Sequence, residues 1–110
     1  MASKFSLFGG SNGEFYFRLK AGNGETILNS EGYKPKASCQ SGIASVKTNA
    51  PIDSRYEKRT SSNSKEYFVL KAANGEIIGT SQMYSSGTAR DQGIEAVKRE
   101  APGASVEDLT

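Results

Sequence analysis

The chain has 110 residues, with 14 Lys and Arg against 12 Asp and Glu, one cysteine, and neither histidine nor tryptophan. The missing histidine excludes imidazole acid/base chemistry and His-activated nucleophiles; with a lone Cys39 it also excludes an intrachain zinc site of the usual N/S ligands. A net charge of +2, no apolar run near the ~18–20 residues of a membrane span and no apolar stretch behind Met1-Ala2-Ser3-Lys4 point to a cytoplasmic protein with a mixed, solvated surface.

A first short strand is expected at about 4–8, followed by a loop at Gly9-Gly10-Ser11-Asn12-Gly13. The second strand is Phe15–Ala21, where Phe17, Leu19 and Ala21 alternate with Tyr16, Arg18 and Lys20, the period of a half-buried strand. Gly22-Asn23-Gly24 is a hairpin signal, and a third strand follows at about 25–31. A two-residue turn would set Ile27 against Lys20. A three-residue loop with glycine in a left-handed bulge position sets Ile27 beside Leu19, and is preferred because it gathers apolar residues on one face. A helix over 36–49 carries Cys39, Ile43, Val46 and Ala50 at helical spacing, with Pro35 at its start, Lys47 in its last turn and Pro51 ending it.

The same order recurs at an offset of 51. Strands are expected at about 55–60, Glu66–Ala72 and about 76–82, then a helix at 86–100 capped by Ser85 or Ser86 and ended by Pro102. Units 4–54 and 55–105 are identical at 20 of 51 aligned positions, which marks an internal duplication. Gly42 and Gly93 recur in mid-helix despite a cost of about 1 kcal/mol each relative to Ala, so close helix–sheet approach is expected there. Residues 106–110 read as a polar tail, with a short strand at Ser105-Val106. A unit of this size buries too little surface to stand alone. The expected fold is therefore α+β. Two tandem β-β-β-α repeats form one pseudo-twofold body, a single compact domain with antiparallel sheet packed against two helices.

Two tandem copies of Leu-Lys-Ala, Asn-Gly-Glu, a tyrosine and a Gly-Ile-x-x-Val-Lys helix resemble the YegP family. The first copy carries Leu19-Lys20-Ala21, Asn23-Gly24-Glu25, Tyr33 and Gly42-Ile43-Ala44-Ser45-Val46-Lys47. The second carries Leu70-Lys71-Ala72, Asn74-Gly75-Glu76, Tyr84 and Gly93-Ile94-Glu95-Ala96-Val97-Lys98, after Ile78-Gly79-Thr80-Ser81-Gln82-Met83. The resemblance covers about 4–105. It implies a small bacterial α+β protein whose function is uncharacterised, and it supplies no catalytic residues. Single-repeat relatives are expected to pair as dimers, so the tandem form is expected to be a monomer with an internal pseudo-dimer.

In the preferred register Tyr16, Lys20 and Ser30 share the sheet face away from the helices, and Tyr67, Lys71 and Ser81 repeat them. These six are the candidate binding surface. Aromatic and basic side chains on an open sheet are used to stack single-stranded bases, although they also serve as ordinary cross-strand pairs. Glu25 and Glu76 flank the turns as solvated carboxylates, and Cys39 falls on the apolar stripe as an inert thiol. No catalytic, metal or cofactor site is expected. The leading expectation is a non-enzymatic module binding a protein or a small ligand, with no membrane partner. A weak single-stranded nucleic-acid binder and an enzyme without histidine chemistry are the alternatives.

Overall fold

The computed structural model describes residues 3–110. Strands β1 (Lys4–Gly9), β2 (Phe15–Lys20) and β3 (Thr26–Asn29) precede helix α1 (Lys36–Asn49). A short 3-10 turn at Asp53–Arg55 leads into β4 (Tyr56–Thr60), β5 (Glu66–Lys71), β6 (Ile77–Thr80), helix α2 (Gly87–Glu100) and β7 (Ser105–Asp108). The strands form one seven-stranded mixed sheet in the order β4-β5-β6-β3-β2-β1-β7. Both helices cover one face. There α1 lies on β1, β2 and β6, and α2 on β5 and β3. The fold is α+β.

The core lies between this face and the helices. Phe5, Leu7, Phe17, Leu19, Leu28, Phe68 and Leu70 are fully buried beneath Cys39, Val46 and Val97. Period-2 alternation puts the strand residues there, and 3.6-residue spacing puts the helix residues above them. Ser86 caps α2 by accepting a hydrogen bond from the Ala89 N–H at 3.1 Å. At the other end of α1, Asn49 accepts from Arg55 Nε at 2.9 Å and donates to the Ser45 carbonyl at 2.8 Å, tying the helix to the turn before β4.

Two features of the sheet differ from the sequence expectation. The hairpin loops do have three residues: Ala21 N–H donates to Glu25 O at 2.8 Å, Ala72 N–H to Glu76 O at 2.9 Å, and Gly24 and Gly75 take φ of +88° and +87°. Asn23 and Asn74 brace these turns by accepting from the next-but-one N–H. One residue further on, however, each ladder slips. Leu19 faces Leu28, Lys20 faces Thr26, and Ile27 is the extra residue of a bulge rather than the partner of Leu19. Ile78 takes the same place between Leu70↔Gly79 and Lys71↔Ile77. The bulge buries Ile27 and Leu28 together, which strict alternation forbids.

The second difference lies at the C-terminus. The short strand expected at Ser105-Val106 is present and runs on to Asp108 as β7, parallel to β1 with Phe5↔Val106 in register, so 106–108 are strand rather than tail. The sheet is mixed for this reason. All four β7 side chains are exposed. The segment is held by backbone bonding and by the pairs Lys4–Glu107 and Lys36–Asp108. Among the described residues no helix is long and apolar enough to cross a membrane.

Candidate functional site

The face of the sheet away from the helices carries the alternate residues of each strand. In β2 these are Tyr16, Arg18 and Lys20; in β1 their cross-strand partners are Phe8, Ser6 and Lys4. In β5 they are Tyr67, Val69 and Lys71, opposite Arg59 and Glu57 of β4. Four of the six expected residues, Tyr16, Lys20, Tyr67 and Lys71, therefore stand on the open face.

Ser30 and Ser81 do not. The bulge moves every later residue of β3 and β6 by one place, so Ser30 lies opposite Phe17 and Ser81 opposite Phe68. Each hydroxyl is spent on the backbone. Ser30 Oγ accepts from Phe17 N–H at 2.8 Å and donates to Glu31 O at 2.8 Å. Ser81 Oγ accepts from Phe68 N–H at 2.9 Å and donates to Gln82 O at 2.8 Å. These serines close the ladder where β3 and β6 end, which is why both strands are shorter than expected.

The two halves of the open face differ. In the N-terminal half the Tyr16 ring stacks on Phe8 with centroids 5.8 Å apart. It passes so close over Gly10 that a Cβ there would lie 2.6 Å from the ring, and its hydroxyl crosses Gly32 at 3.0 Å from a Cβ position. Asn12 Nδ2 donates to the Tyr16 hydroxyl at 2.9 Å. The Arg18 guanidinium sits 4.6 Å from the Phe8 centroid, a cation–π distance. Phe8, Gly10, Tyr16, Phe17, Arg18, Asn29 and Ser30 line a shallow cavity of about 240 Å³, so Ser30 borders it although its hydroxyl is bonded to the backbone. Neither Arg18 nor Lys20 has a carboxylate partner among the described residues, although Lys4, Arg59 and Lys71 do.

The C-terminal half is closed on itself. Phe8, Gly10, Arg18 and Gly32 have as their counterparts, 51 positions on, Arg59, Ser61, Val69 and Met83. Lys71 Nζ meets Glu57 at 2.6 Å, and Arg59 pairs with the other oxygen of the same carboxylate. Those two cations, Lys71 first, hold the Glu57 carboxyl below its ordinary range. Val69 is 1% exposed although it stands on the open face. Sequence reasoning passed over Phe8, Arg18 and Glu57. Arg18 shares the strand parity of Tyr16 and Lys20 and was legible. Phe8 follows Leu7 in an apolar pair whose parity only the pairing resolves, and Glu57 required knowing that β4 lies beside β5.

Elsewhere, burial pushes the Cys39 thiol up from its ordinary pKa. Among the described residues no group of three His, Cys, Asp or Glu side chains is placed to hold a metal ion. Glu25 and Tyr84 share a cleft between the two halves, with Gln82 Nε2 donating across it to Thr26 O at 2.6 Å.

A family model described as a domain of unknown function, DUF1508, matches the chain twice, at residues 11–57 and 61–108. The chain is 54% identical to the UPF0339 protein YegP of Escherichia coli K12, covering all of both chains. It is 51% identical to a UPF0339 protein from the 5' region of the ptx operon of Stutzerimonas stutzeri, over 99% of this chain and 98% of the other. The solution NMR structure of the E. coli yegP protein, described as a protein of unknown function, superposes with a TM-score of 0.94 at 54% identity, covering 100% of this chain and 95% of that one. The UPF0339 protein of Shewanella oneidensis gives 0.93 at 53% identity, covering 100% and 93%. A duplicated domain, a shared fold and identity above one half along the whole length place the chain in the YegP (UPF0339) family, whose function is uncharacterised.

Proposed function

We propose that this chain is a non-enzymatic binding module of the cytoplasm that uses the open face of its sheet. Units 4–54 and 55–105 supply one pseudo-twofold body, monomeric because each unit finds its partner within the chain. The observation that carries this reading is the division of labour between the two faces. The helix-covered face is spent on packing, whereas Tyr16, Lys20, Tyr67 and Lys71 are identical in both units and serve no core. Between two units that differ at most positions, shared residues outside the core call for a reason other than packing.

Amide chemical shifts of the labelled protein, titrated with the small-molecule fraction of a bacterial extract, test the reading. Saturable shifts clustered at the open-face residues of β1, β2, β4 and β5 are expected. Shifts confined to the helical layer, or none, would remove it.

A further inference from the structure

Within that open-face reading, we propose that the N-terminal half alone is the binding site and that it takes a small phosphate-bearing ligand. Four observations converge. The cavity at Phe8, Gly10, Tyr16, Arg18 and Asn29 has walls already fixed, because Phe8 stacking and two glycines hold the Tyr16 ring in one slot. A preformed wall lowers the ordering cost of binding.

Arg18 is the one charged residue of the cavity's lining, and Lys20 stands two positions along the same strand. Arg18 and Lys20 project from alternate positions of β2 without a carboxylate partner among the described residues, and Lys4 beside them is taken by Glu107. The Glu14 carboxylate lies beside Gly32 and the Tyr16 hydroxyl. Two cations on one face suit the charge of about −1.5 to −2 on a phosphate monoester better than the single charge of a carboxylate, and the guanidinium fork matches phosphate geometry.

Ser6 stands opposite Arg18 on the same face, 2% exposed, and its hydroxyl has no hydrogen-bond partner among the described residues. The fold leaves this buried polar group beside Arg18 unsatisfied. Finally, the C-terminal half lacks every one of these features: Val69 replaces the arginine, Arg59 replaces the phenylalanine, and Glu57 neutralises Lys71. The shallow cavity is smaller than the roughly 300–1,000 Å³ of drug-sized sites, which suits a phosphate carrying one small flat group.

Titration of the labelled protein with phenyl phosphate, with benzoate in parallel, tests the proposal. Saturable shifts are expected at residues 8–10, 16–18 and 29–30 and not at 57–59 or 67–71. Benzoate should bind at least about tenfold more weakly. Arg18→Gln should weaken phenyl phosphate by about tenfold or more, given the worth of a charged hydrogen bond, and Arg18→Lys by less. Arg18 is exposed, so both variants are expected to keep the wild-type spectrum. No saturable shift, equal binding of benzoate, or an unchanged Arg18→Gln would overturn the proposal. So would tighter binding of a single-stranded oligonucleotide at these residues. Extract-induced shifts on the C-terminal half alone would overturn it too, while leaving the open-face reading standing.

Discussion

Leu28 of β3 lies across Gly79 of β6: a Cβ on Gly79 would stand 2.6 Å from Leu28 Cδ2. The two residues hold the same position in their units, 51 apart, on the two middle strands that meet at Asn29↔Thr80. Related positions meet near this junction, and the space there admits one large side chain, not two. Leu28 fills it and is fully buried. Gly79→Ala should therefore cost about 1–3 kcal/mol through overpacking, and Leu28→Ala about 2–5 kcal/mol through the cavity it leaves. In the double variant the Gly79→Ala penalty should largely vanish, since its clash is with Leu28. Urea unfolding of the four proteins measures this; strict additivity would discard the packing account.

Gly42 gives a second packing test. A Cβ there would meet Tyr33 Oη at 2.8 Å and Phe17 Cε2 at 3.0 Å. In an open helix Gly→Ala gains about 1 kcal/mol, but Gly42→Ala should destabilise by about 1–3 kcal/mol. Adding Tyr33→Phe removes the hydroxyl contact and should recover part of the loss. Thermal midpoints higher for Gly42→Ala than for the parent would contradict the close approach of α1 to the sheet.

These glycines also show how far the sequence could be read. Gly42 and Gly93 recurred where helix propensity disfavours them, and that local contradiction pointed to close packing. The helices, the hairpin loops and the side-chain parity of β2 and β5 followed from spacing, since Phe17 and Leu19 alternate cleanly with Tyr16 and Lys20. The bulges at Ile27 and Ile78 left no such trace: Ile27-Leu28 reads equally as a shifted strand or as two buried neighbours. Ser30 and Ser81 were misplaced by that one residue. Contacts between strands distant in sequence, such as Glu57 with Lys71 or β7 with β1, lie beyond a one-dimensional pattern.

Alkali should unfold the protein through its tyrosines. Burial first, and then the nearby Glu95, push the Tyr56 hydroxyl well above its ordinary pKa; it donates to the Ala50 carbonyl at 2.7 Å. Burial raises Tyr33 and Tyr84 as well, with nearby carboxylates adding to it. With folded values above unfolded ones, the stability these groups supply is complete below about pH 10 and is lost as pH rises toward the folded values, because the unfolded chain releases the protons first. Phenolate absorbance from these three should appear together with loss of circular dichroism. Full ionisation of all five tyrosines in the folded protein would refute this.

Cys39 should be silent in the native protein. It is fully buried in the core under α1, and burial raises its thiol pKa. Reaction with a disulfide reagent is expected to be at least about a hundredfold slower in buffer than in denaturant, because attack needs an exposed thiolate. Similar rates in the two conditions would show that α1 opens readily.

The seventh strand gives the body a direction. β4 ends the sheet at one side with Glu57, Lys58 and Arg59, whereas β1, its counterpart, is screened by Ser105–Asp108. The two rims therefore differ in the strand that forms them and in charge. Copies meeting rim to rim through unlike edges would form an open row, whereas β4 meeting β4 would close as a pair. Charged side chains along β4 discourage either contact, as edge strands of soluble proteins commonly require.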